Sequence, residues 1–443
     1  MVDLFANGAP VATLGSHQFL IFLLQVALLL ATAFWLGALA RRFNLPSVVG
    51  ELCAGLLLGP SILGQFLPGF AGWIFPQQTE QFHLIDAVGQ LGVVLLVALS
   101  GIEINLAMLR RRSGSTVRIS LFGLLIPFFC GVGVAYLLPD SFSPAGVNPL
   151  IFALFLGVAL CVSAIPVMAK TLMDMNLMHR RVGQLALSAG VIDDIFGWIT
   201  LSVVAAMVTT GGIQGGRILQ SLMWVAFVVI FTATIGRVIV TKVLGYARTS
   251  DNDAPVVTAM VAIIIASAAA THAMGLEAAL GAFMSGILIG MHPEFKRIKL
   301  PTVMAVLAPV FFATAGLRMD LSALFSWPVF IGGLAVLAVA IVGKFLGVFL
   351  GARLSKIGAW ESLAMGAAMN ARGVIEVIIA TVGMRLGVLT TTAYTVIVLV
   401  AVVTSLMAPP VLRFTMARVD RNEEDDDEKK NAVKVERSEA NTA

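Results

Sequence analysis

Runs of apolar residues separated by short polar breaks repeat along this chain from Gln18 to about Leu412. A helix needs roughly 20 such residues to cross about 30 Å of hydrocarbon, so each run predicts a membrane span. The pattern gives about thirteen spans, at 18–40, 46–66, 84–108, 116–138, 149–172, 182–208, 217–240, 255–273, 276–291, 302–317, 328–351, 360–384 and 389–412. The predicted fold class is therefore an all-α polytopic membrane protein. After Arg413 the apolar periodicity stops and the segment EEDDDEKK follows. This predicts a solvated, disordered tail over 413–443, too short for a ligand-binding domain.

Composition supports this reading. Hydrophobic residues make up 58% of the 443 and charged residues 12%, and the mean hydropathy is +0.95, far outside the range of soluble domains. A pI near 9.1 would suit nucleic-acid binding, but the basic residues fall in short clusters between apolar runs, as orientation marks do. Arg41 with Arg42, Arg110 to Arg112, Arg180 with Arg181, Arg237 with Lys242 and Arg248, Lys296 to Lys299, and Arg353 with Lys356 all fall on one face. By the positive-inside rule that face is cytoplasmic, which predicts an external N-terminus and a cytoplasmic C-terminus. The first seventeen residues carry no basic cluster, so no cleavable signal peptide is expected. Cys53, Cys130 and Cys161 lie within apolar runs and have no metal-ligand spacing.

The chain also echoes itself. AGLLLGP at 54–60 returns as SGILIGM at 285–291, and LLVALSGIEINL at 95–106 returns as VFFATAGLRMDL at 310–321. The echoes keep their order and are offset by seven spans. An odd offset inserts the second copy upside down, so spans 1–6 and 8–13 form inverted repeats, an architecture of secondary transporters.

Five ionisable residues stand far from any predicted span end: Asp193 and Asp194 in span 6, Lys344 in span 11, and Arg372 and Glu376 in span 12. Each costs about 2.5–3.5 kcal/mol near the bilayer centre, so together they demand partners or water. Three acids against two bases leave one negative charge over, which a proton or a monovalent cation would neutralise. Neighbours on a helix point about 100° apart, so Asp193 and Asp194 cannot address one small volume equally. Either can pair with Lys344 while the other lines a cavity. Static salt bridges between helices are the competing reading.

Spans 5 and 12, again seven apart, are both predicted to be interrupted. Span 5 reads ALCVSAIPVMAK, with Pro166 in its interior, and span 12 reads GAAMNARGVIEV, with Asn370, Arg372 and Gly373 at mid-depth. Broken helices at that depth are tolerated where they line a cavity or find protein partners, and corresponding breaks point to a transporter's binding site. Arg372 and Glu376, at i and i+4, can satisfy each other and the freed backbone. Ser163 can either offer an oxygen to a cation or bond its own backbone. Glu51, Glu103, Glu277 and Glu361 fall near span ends, where interface exposure explains them.

The motifs GELCAGLLLGPSILG (50–64), LVALSGIEINL (96–106), VSAIP (162–166), VIDDIFGW (191–198), GAFMSGILIG (281–290), PVFFATAGL (309–317) and NARGVIE (370–376) together resemble the second branch of the monovalent cation:proton antiporters. They resemble its NapA-type sodium/proton members more than its Kef-type potassium members. The resemblance implies an NhaA-like fold with two crossed broken helices. It also implies a homodimer built from a dimerisation part, about 18–108 and 255–317, and an ion-transporting core part, about 116–208 and 328–412. Carried over by position, Asp194 is the carboxylate for the transported cation and proton, Asp193 the lysine's partner, and Lys344 that lysine. Kef-type members usually have Gln-Asp at the paired acids and a cytoplasmic nucleotide-binding domain, neither of which is expected here. Two acids and a lysine resemble the electrogenic members. The expectation is a non-enzymatic antiporter of the cell membrane that exchanges sodium, or lithium or potassium, for protons. It needs no cofactor, and its partners are membrane lipids and a second copy. A sodium-dependent organic-anion symporter on a related fold, a Kef-like potassium/proton transporter, a non-transporting sensor and an intramembrane aspartyl protease are the alternatives. The protease needs two acids facing each other across about 3 Å, which neighbours on one helix do not provide.

Overall fold

A computed structural model describes residues 14–43, 45–76, 78–104, 113–209, 215–248, 254–292 and 300–440. The basic clusters Arg110–Arg112 and Lys296–Lys299 lie outside them. All regular structure among the described residues is helical. The first stretch holds α1 (Ser16–Arg42), α2 (Ser47–Leu58), the short α3 (Leu63–Phe66) and α4 (Pro68–Ile74), and α5 (Thr79–Glu103). Then come α6 (Ser113–Ala135), α7 (Pro149–Cys161), α8 (Ile165–Asp174) and α9 (Arg181–Thr209). Helix α10 (Gly215–Phe231) passes through a π-helical turn, Thr232–Gly236, into α11 (Arg237–Ala247). The second half follows with α12 (Ala254–Ala273), α13 (Ala278–Gly290), α14 (Leu300–Leu317), α15 (Trp327–Leu354), α16 (Ala359–Met369), α17 (Val374–Arg385) and α18 (Thr391–Ala440).

Eleven of these segments are long and apolar enough to cross a membrane, and the bent pair α16–α17 makes a twelfth. The sequence predicts thirteen. The difference is α13, a helix of 13 residues, about 20 Å at 1.5 Å per residue. Its burial against other helices, with Leu280, Phe283 and Ile289 at 1% exposure or less, lets it stop short of a full crossing. The charged tail differs as well, because α18 carries its helical backbone on to Ala440 where the sequence reading has disorder. Glu, Lys, Arg and Ala are strong helix formers, and beyond Pro410 no Pro or Gly interrupts them. Span 7 continues past Lys242 to Ala247, since one long cationic side chain does not end a helix.

The helices pack as two groups. One holds α1, α2, α5, α12, α13 and α14; the other holds α6 to α9 and α15 to α18. The α10–α11 segment packs on α9 at one end and on α12 and α13 at the other. In the first group the repeat becomes physical, with α2 against α14 and α5 against α13. Gly55 abuts the backbone carbonyl of Ala313, and its repeat counterpart Gly286 abuts that of Ala98, where a Cβ would collide in both cases. Residues 55 and 286 correspond in the echoed motifs, as do 98 and 313. The two contacts are therefore the same contact made twice, as a two-fold relation between the copies requires. In the second group α15 lays Gly343, Gly347 and Gly351 against α6, which brings Lys344 within reach of what α6 and α9 carry.

Candidate ion-binding site

Span 5 breaks between α7 and α8, over Val162–Ala164, and span 12 breaks between α16 and α17, which are bent by 47°. The breaks touch each other, with the Ala164 N–H donating to the Ala371 carbonyl at 3.1 Å. Pro166 corrects the sequence reading. It stands in the first turn of α8, where a fixed φ and a missing N–H cost nothing, so it starts the second half-helix and does not interrupt one.

A broken helix leaves carbonyls without partners at the end of its first half, and that end carries partial negative charge. Two cations answer both needs at the end of α7. Arg372 Nη2 donates to Leu160 O at 2.5 Å and to Ala340 O at 3.0 Å, and its Nη1 reaches Ala159 O at 3.4 Å. Lys344 Nζ donates to Cys161 O at 2.7 Å. In the other break, Ser405 Oγ donates to Arg372 O. Arg372 also pairs with Glu376, Nη1 to Oε1, at 3.4 Å. The two residues pair with each other and serve the freed backbone, while Arg372 Nε and Glu376 Oε2 have no partner among the described residues.

The adjacent aspartates are treated very differently. Asp193 accepts from three donors: Ser120 Oγ at 2.7 Å on Oδ1, and Ser163 Oγ at 2.9 Å and Lys344 Nζ at 2.7 Å on Oδ2. The Lys344–Asp193 ion pair is fully buried on both sides. Asp194 is equally buried, yet neither of its carboxylate oxygens has a hydrogen-bond partner among the described residues. A lone buried carboxylate is among the most expensive things a protein interior can hold unless something neutralises it. With Asp193 matched to Lys344 and Glu376 to Arg372, the surplus acid counted from the sequence is Asp194.

Of the predicted residues, Asp193, Ser163 and Lys344 meet directly. Arg372 sits on the α7 end with Glu376 beside it, and Asn370 closes α16 with both side-chain polar atoms buried and without a partner among the described residues. Ser120 is the contact the sequence reading missed. A serine inside the apolar run VRISLFG carries no spacing signal, and only the packing of α6 on α15 and α9 brings it to Asp193. Burial also corrects two acids assigned to the interface. Glu51 is 8% and Glu277 5% exposed, and Glu277 is held by both oxygens on Arg385 Nη2, whose Nη1 donates to Gln90 Oε1 at 3.0 Å.

The pattern of the sodium/hydrogen exchanger, transmembrane family matches residues 27–418. The chain belongs to that family. The Na(+)/H(+) antiporter NhaS4 of Synechocystis is 30% identical over 90% of this chain and 97% of its own length. The Na(+)/H(+)-K(+) antiporter GerN of Bacillus cereus is 28% identical over 90% and 97%. Cation/H(+) antiporter 20 of Arabidopsis thaliana is 31% identical over 90% of this chain, which spans 48% of that longer protein. Among solved structures, the sodium proton antiporter MjNhaP1 of Methanocaldococcus jannaschii superposes with a TM-score of 0.67 over 90% of this chain and 97% of its own, at 17% identity. That likeness extends the family assignment to the fold. The protein is a multi-pass membrane protein of a transporter family.

Proposed function

We propose that this protein exchanges protons for a monovalent cation, sodium in the first place, by alternating access, and that Asp194 is where the two compete. A buried carboxylate without a partner, beside ion pairs that already balance, carries this reading: it is the one acid of the five buried ions still to be neutralised. The relatives' names supply the chemistry of the cargo. In this mechanism an unpaired Asp194 takes either a proton or a cation, never both, and that exclusion couples the two fluxes. Asp193 is held by Lys344, and when a cation breaks that pair the freed ammonium gives its proton to water on the open side, the second proton of the cycle. The result is an electrogenic two-for-one exchange, which the membrane potential drives by about 2.3 kcal/mol per 100 mV for each net charge.

The separation of the helices into two packed groups supports a moving part, α6 to α9 with α15 to α18, working against a scaffold of α1, α2, α5 and α12 to α14, which would form the homodimer. The distribution of Arg and Lys supports a cytoplasmic C-terminus in the cell membrane. Reconstitution into vesicles with an imposed pH gradient tests the proposal. Addition of sodium should dissipate the gradient, with lithium and potassium ranking selectivity, and Asp194→Asn should abolish the response. Wild-type exchange by Asp194→Asn overturns the assignment, and sodium-dependent organic-anion uptake without proton exchange would point to a symporter instead.

A further inference from the structure

Helix α9 carries polar groups for which the site above has no use. Trp198 Nε1 and Ser202 Oγ are buried, their residues 1% and 0% exposed, and neither has a hydrogen-bond partner among the described residues. They stand four and eight residues beyond Asp194 on an unbroken helix, so the three lie within one face at steps of about 6 Å. In the other direction, the residues at the same spacing are Gly190 and Ala186. The polar stripe therefore leaves Asp194 one way only, toward Thr209.

Buried hydroxyls on the helices of this protein usually turn back on their own backbone. Ser188 on the same helix bonds Gln184 O at 2.7 Å, and Ser362 and Thr404 bond the carbonyls four residues before them at 2.7 Å. Ser202 does not. Interior polar groups left without protein partners are ordinarily met by water or a polar guest. The stripe also lies in a telling place. The Trp198 ring lies 6.2 Å from that of Phe283 on α13, which puts it on the boundary between the two helix groups, the plane that alternating access has to part. Arg385 on Glu277 and Gln90 ties the same two groups together, and Glu277 is the residue that caps the helix bearing Phe283.

We infer that Trp198 and Ser202 line the path by which cation and protons reach Asp194 from the Thr209 end of α9, and that Trp198 against Phe283 closes that path in the conformation seen here. The inference rests on the antiport reading of Asp194. When the groups part, the indole face offers a partly dehydrated cation its ring electrons, its N–H holds a water, and the Ser202 oxygen serves as the next polar station outward.

The test uses the full chain with Cys53→Ser, Cys130→Ser and Cys161→Ala, reconstituted in vesicles, carrying either Ser202→Cys or Val204→Cys. Val204 is also buried, at 3% exposure, but two residues on it faces the other side of the helix. A positively charged, membrane-impermeant methanethiosulfonate is applied to one side at a time while exchange is followed in the same vesicles. Ser202→Cys should be modified from one side only during turnover, lose at least about tenfold in exchange rate when modified, and be protected by saturating sodium; Val204→Cys should stay unmodified and active. Trp198→Phe, which keeps a ring against Phe283 and removes only the N–H, should slow turnover several-fold with the apparent sodium affinity retained. A Ser202→Cys protein that exchanges normally yet resists modification from both sides overturns the path, as does Trp198→Phe with the rate of the parent. A cysteine-free parent that exchanges nothing would instead overturn the antiport reading.

Discussion

Helices α2, α5, α13 and α14 meet glycine to carbonyl, and the ion pair among them, Arg318 with Asp86, stays partly exposed, whereas α7 to α9 and α15 to α17 meet around buried ions set on broken backbone. Both arrangements come from the same repeated design, and each copy contributes to both. In the first group, backbone-to-backbone contact is tight, apolar and the same at both pseudo-equivalent positions, which suits a part that keeps its shape. In the second, the half-helix end of α7 needs cations, the cations need acids, and the count stops one short at Asp194. A region that requires a visiting charge to balance is suited to change state, and the contrast supports the proposed stationary and working roles.

The comparison is broken most directly at the two aspartates. Asp194→Asn removes an unpaired charge, so exchange should vanish while thermal stability in detergent holds or rises. Asp193→Asn leaves Lys344 buried without its partner and should lower stability. Lys344→Ala should be the most destabilising of the set, by about 3–5 kcal/mol, because it strands the Asp193 carboxylate and uncovers Cys161 O. Any surviving exchange should carry no net charge, measurable as loss of the response to an imposed potential. Gly286→Leu probes the other region. Its neighbour is backbone and cannot move aside, so a loss at the upper end of about 1–3 kcal/mol is expected, read as a lower unfolding temperature. Ser120→Ala should cost about 1 kcal/mol, since Asp193 keeps two donors, and should alter the pH profile of exchange more than its maximum rate. The smallest effect is a matter of conditions. Competition of protons and cation at Asp194 requires the apparent sodium affinity to weaken as pH falls, and an affinity independent of pH would separate the two binding events.

Much of this was legible beforehand. Apolar run length located the spans, the odd offset of the echoed motifs gave the inversion, and the surplus of one mid-span acid anticipated a carboxylate with no hydrogen-bond partner among the described residues. Legibility failed where a side chain's partner lies on another helix. Ser120 looks like any serine in an apolar run, Glu277 looks like an interface acid until Arg385 is found on it, and Pro166 looks like a helix breaker until the break is seen to lie just before it.

The sequence alone determined which charges stand at mid-span and what sign they leave over, because the cost of a charge in hydrocarbon depends on residue type and depth, and both can be read along one chain. Which carboxylate carries the surplus, implied beforehand by the resemblance alone, was given its physical reason by the tertiary structure. Asp193 and Asp194 share composition, neighbours and depth, and what separates them is the roughly 100° turn between adjacent residues on a helix, which points one at Lys344, Ser120 and Ser163 and leaves the other without a hydrogen-bond partner among the described residues.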